Sequence, residues 1–378
     1  MGLALYLHIP FCLRKCPYCD FVSFPGRSEA EMAAYVAALA REAELWGSRL
    51  TPASEVDTAY VGGGTPSLLS PALWRQLGSA LRRRFSLSPG LEFTVEANPG
   101  TLTPELLTVL REIGVNRLSL GAQSFNPRFL EMAGRPYRPQ DIRAAVVQAR
   151  QAGFSNLNLD LIFGFPGQTL ADWQQDLEAA LELGPTHLSC YELQLDPATP
   201  WGRAEAEGRL VRPEEEERAA MYDYAVDRLS QAGFEHYEIS NFALPGYFCR
   251  HNLAYWRREP YLGLGVAAAS FMGERRWSNL VSVEEYRKRL AAGDLPVAEA
   301  EELTPEAAMA ETMLLGLRLV KGVEVSRFRK QFGREVEEVF GERLALLERQ
   351  GLLEKGEGTY RLTARGRLLG NVAFRQFV

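Results

Sequence analysis

Residues 3–20 read Leu3-Ala4-Leu5-Tyr6-Leu7-His8-Ile9-Pro10-Phe11-Cys12-Leu13-Arg14-Lys15-Cys16-Pro17-Tyr18-Cys19-Asp20. The apolar run Ala4–Ile9 predicts a strand, which Pro10 follows. Three cysteines come next in a C-x3-C-x2-C spacing. Three thiolates on one loop can hold three irons of a four-iron cluster, whereas cluster proteins usually supply four. A three-thiolate loop therefore leaves one iron open to a small molecule. The rival reading is a single zinc ion held by Cys12, Cys16, Cys19 and His8.

The strand-then-crossover rhythm that begins here recurs through the first half of the chain. Strands are predicted at Ala4–Ile9, Val56–Val61, Leu91–Ala97, Arg117–Gly121, Asn156–Phe163 and His187–Leu193. Helices are predicted over Glu29–Leu50 (ended by Pro52), Pro71–Phe85, Thr103–Ile113, Gln140–Ala152 and Ala171–Leu183. Alternating strands and helices imply parallel strands joined by right-handed crossovers. Six such units before residue 200 suit an α/β partial (βα)6 barrel. After Pro200 the rhythm changes. A charged helix (Arg212–Ala232) and a strand (Glu235–Ser240) precede a loop-like aromatic stretch, Phe242–Trp256. Tyr261–Ser270 is small and glycine-rich, and Gly293–Pro305 reads as a linker. The tail predicts three helices and a hairpin, Leu352–Leu362, around Gly356-Glu357-Gly358, the pattern of a mainly helical, winged-helix-like domain. The expected division is 1–200, 201–295 and 296–378.

In such folds chemistry gathers where parallel strands end. The cysteine loop, Gly62-Gly63-Gly64-Thr65-Pro66, Glu96-Ala97-Asn98-Pro99, Gln123-Ser124-Phe125 and Asp160 all fall there. A glycine run after a strand is weak evidence alone, since it also makes an ordinary tight turn. Glu96, Gln123, Arg135 and Asp160 taken singly fit a solvent-facing role. Together they suit a ligand carrying a ribose, an adenine and a carboxylate: arginine pairs with carboxylates, and acids accept from ribose hydroxyls. Asp160 sits in an apolar strand, where an acid must be paired. Cys190, on a predicted strand, reads as a buried small residue.

The 378 residues are 46% hydrophobic and 24% charged, the composition of a globular protein. A net charge of −6 argues against nucleic acid as a partner of the whole chain. Residues 310–378 carry 13 basic and 9 acidic side chains, so a nucleic-acid-binding tail is the remote alternative. No segment approaches a membrane span or a secretory signal. A cytoplasmic location is expected, with cysteines free or on metal rather than in disulfides.

These motifs resemble the radical S-adenosylmethionine (SAM) superfamily, and within it the oxygen-independent coproporphyrinogen III oxidase-like group. The residues that carry the likeness are His8-Ile9-Pro10-Phe11-Cys12, Gly62 to Ser67, Glu96 to Gly100, Leu118 to Phe125 and Asp160 to Thr169. The resemblance implies a [4Fe-4S] cluster on Cys12, Cys16 and Cys19. It implies SAM bound by Tyr6, Tyr18, Gly63, Gly64, Thr65, Glu96, Gln123, Arg135 and Asp160. Two departures separate the chain from the oxidase branch: Phe21 stands where that branch has a further cysteine, and no N-terminal extension precedes the first strand. Both point to the heme-chaperone branch. So does Cys249-Arg250-His251-Asn252-Leu253-Ala254-Tyr255-Trp256, which carries the H-N-x-x-Y-W pattern associated there with heme. Imidazole is a common heme ligand, and Tyr255 and Trp256 offer flat faces; Cys249 is an alternative ligand. A packed aromatic cluster with a hydrogen-bonded His251 is the plain counterpart. The implied partners are heme and recipient hemoproteins of the respiratory chain. A homodimer and peripheral attachment at the inner face of the membrane belong to the same expectation, though the residues themselves show neither. Oxidative decarboxylation of coproporphyrinogen is the enzymatic alternative.

Overall fold

The computed structural model describes residues 2–50 and 55–377. Strands β1 (Leu3–Ile9), β2 (Glu55–Gly63), β3 (Ser86–Ala97), β4 (Arg117–Gln123), β5 (Asn156–Phe163) and β6 (His187–Glu192) pair in chain order, all parallel. Helices α1 (Glu29–Gly47), α2 (Pro71–Arg84), α3 (Pro104–Glu112), α4 (Pro139–Gln151) and α5 (Leu170–Glu182) make the crossovers. This is the α/β partial barrel of six parallel strands that the alternation predicts.

Local chemistry starts these helices where the pattern says. Ser28 and Glu31 form a capping box at α1, and the Thr103 hydroxyl accepts from Leu106 N at α3, with Pro104 in the first turn. Helix α1 buries Tyr35, Val36, Leu39 and Ala43 on one face. It stops at Gly47 rather than Leu50; Gly47 itself sits against Arg84 O, where a Cβ would lie only 2.7 Å away. The expected stop at Pro52 lies outside the described residues.

The pleat sorts the barrel strands into two faces. Leu5, Leu7, Ala59, Val61, Val95, Leu118, Leu120, Leu157 and Leu159 are buried in one apolar core with Trp74, Leu77, Leu107, Ile142, Val146 and Trp173 of the helices. The alternate positions are polar. Tyr6 pairs in register with Tyr60, Tyr60 with Thr94, and Thr94 with Arg117. One layer higher, Glu96 pairs with Ser119, Ser119 with Asn158, and Asn158 with His187. The barrel thus has a greasy outside and a hydrogen-bonding inside, which alone can receive a polar cofactor.

Beyond β6 the chain adds α6 (Glu215–Gln231), β7 (Glu235–Glu238), β8 (Asn241–Ala243), α7 (Arg250–Trp256), β9 (Tyr261–Leu264), β10 (Ala269–Met272), β11 (Arg275–Asn279), α8 (Val283–Ala291) and β12 (Val297–Glu302). All these strands join the same sheet, in the order β12-β11-β10-β9-β1-β2-β3-β4-β5-β6-β8-β7. Three expectations are corrected here. The loop-like stretch Phe242–Trp256 holds part of β8 and all of α7. The glycine-rich Tyr261–Ser270 supplies β9, parallel to β1, and the start of β10. The linker Gly293–Pro305 contains β12, an edge strand whose exposed Glu299, Glu301 and Glu302 are suited to an unpaired edge. Helix α7 is short and is fixed from far away: the Glu92 carboxylate accepts from the amides of Arg250 and His251, both at 3.0 Å.

The tail builds α9 (Pro305–Gly316), β13 (Val323–Glu324), α10 (Val325–Phe332), α11 (Val336–Arg349), and the expected hairpin of β14 (Leu353–Lys355) and β15 (Thr359–Leu362). It has its own core of Met313, Phe328, Phe340, Leu344, Leu347 and Phe374. Arg258, almost fully buried, ties this unit to the sheet through Glu311 at 2.8 Å.

Candidate functional site

A cavity of about 630 Å³ opens at the carboxyl ends of the parallel strands. Cys12, Cys16 and Cys19 line it together with Tyr18, Gly63, Gly64, Thr65, Glu96, Gln123, Arg135 and Asp160. Residues more than 140 positions apart are thus brought to one place by the barrel. Tyr6 does not line the cavity. It stands one layer behind, its hydroxyl 2.9 Å from His8 Nδ1 and its ring stacked at 6.4 Å on Tyr60, which does line it.

The cysteine loop is pinned at its flanks by Phe24 N donating to Pro10 O and Gly26 N to Cys12 O. Inside it, Cys19 N donates to Cys16 O. The Thr65 hydroxyl donates to Cys12 Sγ at 3.7 Å, and Asn98 Nδ2 donates to Thr65 Oγ1 at 3.0 Å. Burial raises the Cys12 and Cys19 thiols above their ordinary range, so iron must displace their protons on binding. The zinc reading fails on His8. Its Nε2 lies 2.8 Å from Val22 O while Nδ1 faces Tyr6, so neither nitrogen is free for a metal. Among the described residues no three His, Cys, Asp or Glu side chains gather tightly enough to share one ion. A cluster needs no such gathering, because each thiolate takes a different iron.

The glycine run is shaped by close neighbours. Gly63 has φ +109, and a Cβ there would lie 2.4 Å from the His8 ring. Its amide donates to Glu96 Oε2 at 3.1 Å, while Tyr60 donates to Glu96 Oε1 at 2.8 Å. Burial, then the nearby Asp160, pushes the Glu96 carboxyl up to about 7. Asp160 accepts from Ser119 Oγ at 2.9 Å and Asn158 Nδ2 at 2.8 Å; burial also raises it.

Gln123 holds a left-handed backbone, φ +66, where the pairing of β4 and β5 shifts register. This strain is held by a residue that the sequence reading missed. Asp176 on α5, 1% exposed, accepts from Ser124 Oγ at 2.7 Å and Phe125 N at 2.6 Å. The missed signal was an acid on the apolar face of a helix, in step with Trp173, Leu177 and Ala180. Tyr60, Asn98, Ser119 and Tyr191 also line the cavity; period-two alternation along the strands carried that signal.

The wall holds unspent hydrogen-bonding capacity. Arg135 Nε and Tyr18 Oη are buried without a hydrogen-bond partner among the described residues. Such orphans in a wall beside three thiols fit a ligand with a carboxylate and other acceptors. The residues present therefore suit a cluster and SAM.

The H-N-x-x-Y-W segment lies elsewhere, behind the cavity wall. His251 is 1% exposed, with Nδ1 2.9 Å from Thr58 Oγ1 and Nε2 2.9 Å from Tyr255 Oη. Burial, then Arg117, lowers it to about 3, so the ring is neutral. In this arrangement neither nitrogen is open to an iron. The Cys249 thiol faces Glu92 at 3.7 Å, and burial pushes it to about 12. Trp256 lies under the Arg318 guanidinium at 5.2 Å.

Family comparisons agree with this fold. The radical SAM superfamily model matches residues 6–180, and the HemN C-terminal domain model matches residues 303–369. The heme chaperone HemW of Bacillus subtilis is 38% identical over 99% of this chain and 98% of its own length. HemW of Mycobacterium tuberculosis is 38% identical over 98% of this chain and 93% of its own, and HemW of Lactococcus lactis 37% over 99% and 96%. The solved coproporphyrinogen III oxidase HemN of Escherichia coli superposes with a TM-score of 0.86 at 26% identity, covering 100% of this chain and 90% of that one. Its likeness extends the fold match through the C-terminal unit. Among the described residues no helix is long and apolar enough to cross a membrane. With such identity over nearly the whole of both chains, the protein belongs to the HemW heme chaperone family of radical SAM-fold proteins.

Proposed function

We propose that this protein binds heme and hands it to hemoproteins, and that its cavity holds a [4Fe-4S] cluster with SAM beside it. The observation that carries the carrier reading is the end-to-end likeness to proteins named heme chaperones, at 38% identity. Cys12, Cys16 and Cys19 hold the cluster, Arg135 takes the SAM carboxylate, and Glu96 and Asp160 accept from its ribose hydroxyls. Gly63, Gly64 and Thr65 bring backbone polar groups to its amino group, while Tyr18 and Gln123 close the wall. When bound, a cluster held by these three cysteines would supply an electron to SAM. Heme contact through His251 requires that residue to leave Thr58 and Tyr255, so an open form of α7 belongs to this reading.

The enzymatic alternative is favoured by the likeness to coproporphyrinogen III oxidase. Against it, Phe21 is 58% exposed beside the cavity mouth, where that branch has a further cysteine. An anaerobic incubation of the reconstituted protein with reductant, SAM and coproporphyrinogen III separates the two. No protoporphyrinogen is expected; sustained turnover to it overturns the carrier-only reading.

A further inference from the structure

His251 is held on several sides within the H-N-x-x-Y-W segment, and one of its contacts, the ring of Tyr60, reaches the cofactor cavity. Thr58 and Tyr255 hold its two nitrogens, and Glu92 holds its amide. Its ring lies on the ring of Tyr60, centroids 5.2 Å apart and planes at 27°. Tyr60 is a cavity residue whose hydroxyl donates to Glu96, and Glu96 in turn receives the Gly63 amide. The ring–ring contact, the Tyr60–Glu96 bond and the Glu96–Gly63 bond form one unbroken path of 3 contacts from the imidazole to the glycine turn.

We infer that His251 is a positioning residue for the SAM site, acting through Tyr60 and Glu96 rather than as a heme ligand in this conformation. The inference rests on SAM occupying the cavity. Of the two rings that stack on Tyr60 among the described residues, His251 lies nearer, at 5.2 Å against 6.4 Å for Tyr6. The imidazole, clamped by two hydroxyls in the buried interior, fixes the plane of the Tyr60 ring. That plane sets where the Tyr60 hydroxyl meets Glu96, and hence which way the carboxylate faces. Partners that orient metal ligands from behind change affinity or activity about 10- to 100-fold when removed, and the lower end of that range is the scale expected here.

The test uses the anaerobically reconstituted full chain. SAM affinity is measured by equilibrium binding, and the response of the reduced cluster's electron paramagnetic resonance spectrum to SAM is recorded. Wild type is compared with His251→Ala, His251→Gln, Tyr60→Phe and the double variant Tyr60→Phe/His251→Ala. Iron and sulfide content are expected unchanged throughout. His251→Ala is expected to bind SAM about tenfold more weakly, with a smaller spectral response. His251→Gln keeps a polar side chain between Thr58 and Tyr255 but has no ring. It is expected to melt near the wild type and still bind SAM weakly. In the Tyr60→Phe background, removing His251 is expected to cost markedly less, because the link to Glu96 is already broken. Additive losses, or full SAM affinity in both His251 variants, overturn the inference. So does loss of the hemin Soret shift in His251→Ala with SAM binding intact. A wild type that binds no SAM overturns the cavity reading itself and the inference with it. That outcome is visible before any variant is made.

Discussion

Replacing Glu96 with glutamine tests the cavity assignment by removing one charge and almost no volume. The carboxylate accepts from Tyr60 at 2.8 Å and from Gly63 N at 3.1 Å, and has lone pairs left for a ribose hydroxyl. A hydrogen bond to a charged group contributes about 1.5–3 kcal/mol, so Glu96→Gln should weaken SAM binding roughly ten- to 150-fold. The pH profile sharpens this. Burial pushes Glu96 up to about 7, whereas an unfolded glutamate titrates near 4.3. A ribose hydroxyl donates to the ionised form. Wild-type SAM affinity should therefore rise with pH through about 7, by up to about tenfold per unit on the acid side. Glu96→Gln should lack this component of the profile. The assay is equilibrium SAM binding to anaerobically reconstituted protein at pH 6, 7 and 8, with iron content matched. Equal affinity and an equal pH slope in the two proteins would refute the role of Glu96.

Other outcomes follow from the same geometry. Gly63→Ala places a Cβ against the His8 ring at φ +109 and should lower stability by at least about 1–3 kcal/mol; an unchanged thermal midpoint contradicts the packing described. Asp176→Ala strands the Ser124 hydroxyl and the Phe125 amide, and a loss of about 2–4 kcal/mol in urea unfolding is expected, together with weaker SAM binding. Burial raises Glu42 and Glu238 to about 7 and Asp176 to about 6, all above their unfolded values. The folded state then binds these protons more tightly than the unfolded one. Their contribution to stability is therefore lost as pH rises from about 4.5 through 7, by up to roughly 1.4 kcal/mol per pH unit for each group. Urea midpoints across that window should show the fall, and Glu42→Gln should make it shallower.

The parallel core was legible because its signals are local. Period-two apolar strands, capped helices such as that at Ser28, and turn motifs at strand ends need no distant partner to be read. The cysteines and the Gly63, Glu96 and Gln123 positions were legible because each lies at or just beyond the end of a strand, whereas Asp160, inside β5, was legible as an acid in an apolar strand. What escaped depends on contacts across the sequence. Helix α7 is seven residues long, too short to stand on its own propensity, and its first amides are held by Glu92 from β3. Strand β9 is four residues long and exists because β1 offers it an edge. Asp176 reads as a misplaced acid on a helix until the strained turn at Gln123 comes to lie against it. For His251 the resemblance implied a heme ligand, beside the plain reading of a hydrogen-bonded histidine in a packed aromatic cluster; folding encloses it behind Tyr60, with both nitrogens engaged.

The central claim, a heme carrier built on a cluster-and-SAM fold, is tested most directly by heme transfer. Cluster-reconstituted protein is loaded with one equivalent of hemin, freed of excess, and mixed anaerobically with an apo-hemoprotein while both Soret bands are followed. The account predicts that the carrier's band decays as that of the acceptor grows, with the acceptor gaining its function. Hemin that never binds, or that stays bound while the acceptor remains empty, would contradict it.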